Sequence, residues 1–315
     1  MKKIAIFLFI AFIAIPLVLI GCGGSQNKEE VKKGPVTVAT MIDSEGAILG
    51  NMMMMLLEQE GFEIIDKTEF GTPDILRKAL ISGEVDLVLD YTGSGQYYHE
   101  TDNTDIWSNA REGYLLTKKL DKEANNIIWL EPANVNNTEA LAVRESFSEE
   151  NNINDMEDFA RYVNEGGRVK LITSAAFAEN IKGLRGFEQA YGFTLTSDQL
   201  IILASGNTAE MLKALVEETN EVNVSLVYGT DGALEQMNLV VLDDSKSIPP
   251  VYLPAPVLRG EIYEQYPEIE TILKGLFESL NIDILRALNS KVAYDGMDPE
   301  KVARDYLEEN EMLSK

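Results

Sequence analysis

Asp86-Leu87-Val88-Leu89-Asp90-Tyr91-Thr92-Gly93-Ser94-Gly95 is an apolar run that stops at an aromatic residue and passes into a loop of hydroxyls and glycines. Leu87, Val88 and Leu89 have the length and character of a buried strand. Two glycines allow the loop backbone to approach another group closely, and Thr92 and Ser94 offer donors there. In open α/β sheets, ligands bind beyond the carboxyl ends of strands. That places Tyr91 as a wall of a ligand site. The same residues also suit an ordinary strand-to-helix turn with a half-buried tyrosine.

The flanking sequence supplies the rest of an α/β unit. Val36 to Met41 reads as a strand, and Asp43-Ser44 cap a helix to about Glu60. The Met and Leu run from Met52 to Leu57 reads as helix core. A strand over Phe62 to Asp66 and a helix opened by Thr72-Pro73-Asp74 lead into the run that ends at Tyr91. Alternating strands and helices predict a doubly wound lobe. Beyond it come a helix near 109–123 and a strand at 127–130. Glu131 to Asn137 is rich in turn formers and reads as a crossing to a second lobe.

From Glu139 the same grammar repeats. Strands are expected at 139–143, 169–173, 199–204, 222–228 and 239–242, and helices near 156–163, 177–191 and 208–218, the last capped by Asn207-Thr208. The strand ending at Tyr228 is followed by Gly229-Thr230-Asp231-Gly232, an echo of the Tyr91 ending. Pro249 to Pro256 reads as a second crossing, and 261–280 and 299–313 as helices. The expected organisation is a leader over 1–21, a flexible tether over 22–35, a first lobe over 36–134, a second lobe over 135–254, and a helical return to the first lobe over 255–315. This is a two-lobed fold with a two-segment hinge and a cleft between the lobes.

The leader is read from Lys2 and Lys3, the apolar run Ile4 to Gly21, and Cys22 directly after Leu19-Ile20-Gly21. The sole cysteine stands where a bacterial lipobox places its acylated residue. The expectation is export, lipidation of Cys22, and a domain held on the outer face of the cytoplasmic membrane. With one cysteine and one histidine among 315 residues, internal disulfides, His-based zinc sites and Ser-His-Asp triads drop out. A net charge of −25 disfavours nucleic acid as a partner.

Six ordered motifs resemble the substrate-binding component of the quaternary-amine (glycine betaine, carnitine, choline) ABC transporters. They are Asp43-Ser44-Glu45-Gly46 with Leu49-Gly50; Asp90 through Gly95; Trp129 with Pro132 and Asn136-Asn137-Thr138; Phe177 through Tyr191-Gly192; Tyr228 with Thr230-Asp231-Gly232; and Tyr252 with Pro254-Ala255-Pro256-Val257. The resemblance implies a type II periplasmic-binding-protein fold, no enzymatic activity, no cofactor and no metal. It also implies partnership with an ABC permease and its ATPase. Tyrosines would cage the quaternary ammonium, each aromatic face contributing about 0.5–2 kcal/mol. Tyr91, Tyr228 and Tyr252 match cage positions, and Ser94 keeps the loop hydroxyl.

Three positions depart from that pattern. A fourth cage tyrosine is replaced by Glu139. The lysine and the arginine that would hold a ligand carboxylate fall at Met41 and Asn180. A carboxylate about 6 Å from Glu139, at an effective dielectric near 20, is repelled by roughly 3 kcal/mol. The sequence therefore favours choline or another small organic cation over a zwitterion, with glycine betaine or proline betaine as the alternative. An enzyme on the same fold would have to rely on acidic groups, with one histidine and its only cysteine in the lipobox, and a lipid-anchored sensor presenting its ligand to a receptor would share every feature above.

Overall fold

The computed structural model describes residues 32–204 and 208–314. The expected leader, Cys22, most of the tether and the expected cap residue Asn207 lie outside the described residues.

Two five-stranded sheets share one topology. The first contains β1 (Lys33–Met41), β2 (Phe62–Gly71), β3 (Leu87–Tyr91), β4 (Ile127–Trp129) and β10 (Pro254–Arg259), in the order β2-β1-β3-β10-β4. The second contains β5 (Glu139–Arg144), β6 (Leu171–Ser174), β7 (Leu200–Leu203), β8 (Val224–Tyr228) and β9 (Leu239–Val241), in the order β7-β6-β8-β5-β9. Three parallel strands in each are joined by one antiparallel strand that enters directly from a crossing. That strand is β10 beside β3 in the first sheet and β5 beside β8 in the second. The two tyrosine-tipped strands are thus equivalent. Pro254 stands opposite Tyr91, and Glu139 stands opposite Tyr228.

The helix Ser44–Gln59 is buried nearly all round. Its Met52–Leu57 run packs between the first sheet and the helices Glu268–Ser279, Ile282–Ala293 and Pro299–Glu309. This is the core role expected of the methionines. Asp43 caps the helix through Gly46 N at 2.6 Å.

Several elements differ from expectation, each for a local reason. The second crossing ends at Leu253, and Pro254–Arg259 is an interior strand. Pro254 and Pro256 are two residues apart, so both imide nitrogens face the same side. Their carbonyls on that side accept from Ala133 N and Leu130 N, so no ladder donor is missed. The helix expected over 177–191 is two helices, Ala175–Glu179 and Leu184–Tyr191. A Cβ on Gly183 would meet the Phe177 carbonyl at 2.5 Å, so the chain turns there on a glycine. The helix expected over 261–280 breaks before Pro267, which disfavours helical backbone at Tyr266. A further helix, Ile282–Ala293, is capped by Asn281.

The loop after Tyr91 is anchored from below. Buried Asp121 takes both guanidinium nitrogens of Arg77, the indole of Trp129 at 2.6 Å, and His99 Nε2 at 2.8 Å. Tyr98 lies under the Arg77 guanidinium and donates to Asp90 at 2.9 Å. Asp121→Ala would leave a buried guanidinium uncompensated. It should lower the unfolding free energy by about 3–5 kcal/mol in urea titrations.

Candidate ligand-binding site

The two crossings run side by side and place Tyr252. Asn137 N donates to the Tyr252 carbonyl at 2.9 Å, and Tyr252 N donates to Asn136 Oδ1 at 2.9 Å. Thr92 grips both neighbours of Tyr252: its hydroxyl donates to the Val251 carbonyl and accepts from Leu253 N, each at 3.1 Å. The glycines of the first-lobe loop now have reasons. A Cβ on Gly93 would meet the Tyr252 ring at 2.7 Å, and one on Gly95 would meet Thr117 Oγ1 at 2.0 Å. The loop can therefore seat on the helix Ala110–Asn125 below and carry the Tyr252 ring above.

The Tyr252 hydroxyl accepts from Gln96 Nε2 at 2.6 Å and lies 3.4 Å from the Tyr97 hydroxyl. Tyr97 is 62% exposed and accepts from Asn180 Nδ2 of the second lobe at 3.3 Å. Lys182 pairs with Asp105 across the same mouth at 3.1 Å. Tyr97 is a residue that sequence reading missed. The available signal was the adjacent pair Tyr97-Tyr98 on the short helix Gly95–Tyr98, which sends one ring into the lobe and the other toward the cleft.

Glu139 faces this group from the start of β5. The residue is half-buried, but its Oε2 is sealed from solvent and has no hydrogen-bond partner among the described residues. Burial pushes its carboxyl up to about 7. Burial also raises the phenols of Tyr97, Tyr228 and Tyr252, and the charge of Glu139 raises each of them further. Tyr228 is half-buried at the tip of β8. Asp231 receives Tyr228 N at 2.7 Å and the Thr208 hydroxyl at 2.8 Å, and burial brings its carboxyl to about 6.

The structure brings Glu139, Tyr228 and Tyr252 together with Tyr97, and sets two expected site residues apart from them. Tyr91 is 8% exposed, and its hydroxyl donates to Glu45 Oε1 at 2.7 Å. The buried Glu45 also takes Asn289 Nδ2 at 2.8 Å, and Asn289 Nδ2 reaches the Thr230 carbonyl of the second lobe at 2.9 Å. Burial pushes the Glu45 carboxyl up, and its bonds from Thr230, Tyr91 and Asn289 act against that. Ser94 is buried, and its hydroxyl serves Asp90 and Tyr98. Met41 packs on the apolar cluster of the first lobe, and Asn180 is spent on Tyr97.

Chemically, the cluster offers aromatic faces and one carboxyl to a cationic head, and phenol and carboxyl hydrogens to a polar tail. Among the described residues, no three metal-ligating side chains converge. A broad depression of about 770 Å³ opens alongside, lined by Gln96, His99, Glu100, Thr101, Asp102 and Trp107. It shares none of the clustered tyrosines. The cluster, not this depression, holds the chemistry.

Residues 34–309 match the family model described as OpuAC, substrate binding domain of ABC-type glycine betaine transport system. The chain is 43% identical over 275 residues to the glycine betaine-binding protein YehZ of Escherichia coli (strain K12), spanning 87% of this chain and 90% of that protein. It is 33% identical over 278 residues to a glycine-betaine-binding protein of Pseudomonas aeruginosa, spanning 86% of each. The solved structure of apo YehZ from E. coli has a TM-score of 0.73 at 42% identity, covering 89% of this chain and 100% of that one.

The hydroxyl of Tyr91 can be tested apart from any ligand. Tyr91→Phe deletes one donor to the buried Glu45 carboxyl. It should lower the unfolding free energy by about 1–3 kcal/mol, measured by urea denaturation at neutral pH.

Proposed function

Because the chain belongs to the family of substrate-binding domains of ABC-type glycine betaine transport systems, we propose that it captures glycine betaine between its lobes, with the trimethylammonium group against Tyr97, Tyr228 and Tyr252. It is the solute-binding component of an ABC importer, not an enzyme. It works outside the cytoplasm with a permease and an ATPase. The observation that carries the ligand reading is the convergence of these three rings on one buried carboxyl, with Lys182 and Arg185 engaged by Asp105 and Glu188. A soft cation that cannot donate hydrogen bonds is held best by aromatic faces. Two relatives at 43% and 33% identity carry glycine betaine in their names, which supports the zwitterion.

The ionised form of Glu139 supports a second reading. It would attract choline and repel the carboxylate of betaine, the preference that the sequence alone suggests. In either reading, Tyr91 and Ser94 act from behind the site: Tyr91 through Glu45, and Ser94 through Asp90. We further propose that Cys22 carries the lipid anchor and that residues 22–35 tether the domain to the membrane surface. Among the described residues, no helix is long and apolar enough to cross a membrane.

Calorimetric titration of the purified protein should give saturable binding of glycine betaine. Tyr228→Ala and Tyr252→Ala should each lose roughly 0.5–2 kcal/mol, about 2- to 30-fold in affinity, and the Phe variants should lose less. Wild-type affinity in both alanine variants would remove the rings from the site.

A further inference from the structure

Glu139 presents a buried carboxyl oxygen that no group among the described residues satisfies. A carboxylate in such a position keeps its proton unless a cation compensates it. Lys182 and Arg185 are committed elsewhere, Lys182 to Asp105 and Arg185 to Glu188. The groups that face Glu139 are neutral phenols: Tyr97 from the short helix 95–98, Tyr228 from β8, and Tyr252 from the second crossing. Beyond Tyr228 stand Asp231 and Asp43, with Arg286 set against Asp231 and donating to the Gly229 carbonyl at 2.9 Å. The carboxyl accordingly stands at about 7, where both forms are populated at physiological pH.

We propose that Glu139 receives the ligand as a carboxylic acid, donating its proton in a hydrogen bond to the carboxylate of a zwitterionic quaternary amine. This rests on the quaternary-amine reading and specifies how the polar end of the ligand is held. An acid and a carboxylate can share one proton and one charge, whereas two carboxylates in contact cannot both ionise. No base is then needed. The same side chain, once ionised, complements a quaternary cation that has no carboxylate. Its protonation state thus selects between zwitterion and cation within one unchanged cage.

The sign follows from linkage. A ligand bound by the acid form holds the proton in place, so binding takes up protons above neutrality and weakens as pH rises. A ligand bound by the carboxylate form releases protons below neutrality and binds more tightly as pH rises. Asp231 stands at about 6, and its bonds to Tyr228 N and Thr208 are internal to the second lobe.

Calorimetry of the purified protein with glycine betaine and with choline tests this, run from pH 6 to 8.5 in two buffers of different ionisation enthalpy. The Kd for glycine betaine should rise about thirtyfold across that range, and that for choline should fall about tenfold. Net proton uptake should accompany glycine betaine at pH 8, measured on the unaltered protein. Glu139→Gln should flatten both profiles. A flat glycine betaine profile without proton uptake overturns the inference and leaves the quaternary-amine reading standing. Persistence of the slope in Glu139→Gln also overturns it and transfers the titration to Asp231. Failure of both amines to bind at any pH overturns the reading and the inference together.

Discussion

The carboxyl of Glu45 is where the separate parts of this protein meet. It sits in the first turn of the most buried helix and is closed off from water. It needs donors, and each comes from a different place. Tyr91 supplies one from the tip of β3, and Asn289 supplies one from the C-terminal helical return. Through Asn289 and Thr230 the same cluster reaches the tip of β8 in the second sheet. A buried carboxyl with these partners removed is costly, so the tips of β3 and β8 are fixed with respect to one another by a shared need for hydrogen bonds.

The site follows from that constraint and from the topology. Each sheet has a strand that ends in tyrosine, and each such strand is paired with the strand entering from the other lobe. The crossings therefore pass between the two strand tips and bring Tyr252 and Glu139 with them. Gly93 permits the approach of Tyr252, and Thr92 clamps its backbone neighbours. The result is a group of rings around a carboxyl, assembled by backbone pairing and needing no disulfide. This arrangement suits a component that grips a small ligand without transforming it.

Much of this architecture is legible in the sequence because periodicity reports burial. The strands tipped by Tyr91 and Tyr228 stand out as apolar runs closed by glycine, and the methionines of the first helix read directly as core. What escapes is set by tertiary context. Pro254 and Pro256 look like a linker, and only the placement of Leu130 and Ala133 shows why a strand tolerates both. Tyr97 and Tyr98 are adjacent and alike in sequence, yet one anchors to Asp90 and the other bridges to Asn180. The role of Tyr91 is likewise hidden. Its position at a strand tip suggests a wall, but its hydroxyl is spent on a buried acid that lies 46 residues earlier. Family resemblance locates Glu139 as an exception, and only the packing around it shows that its carboxyl is sealed and unpaired.

Glu139 is also the first residue of β5, and its backbone pairs with Tyr228 whatever side chain it carries. On the role proposed for Glu139, ligand preference and folding are written at the same position in different atoms. On that proposal, one codon change would alter the ligand taken while the backbone pairing of β5 with β8 stays as it is. Receptors built this way can diverge in diet faster than in form, so descent and cargo need not track one another among proteins that share this scaffold.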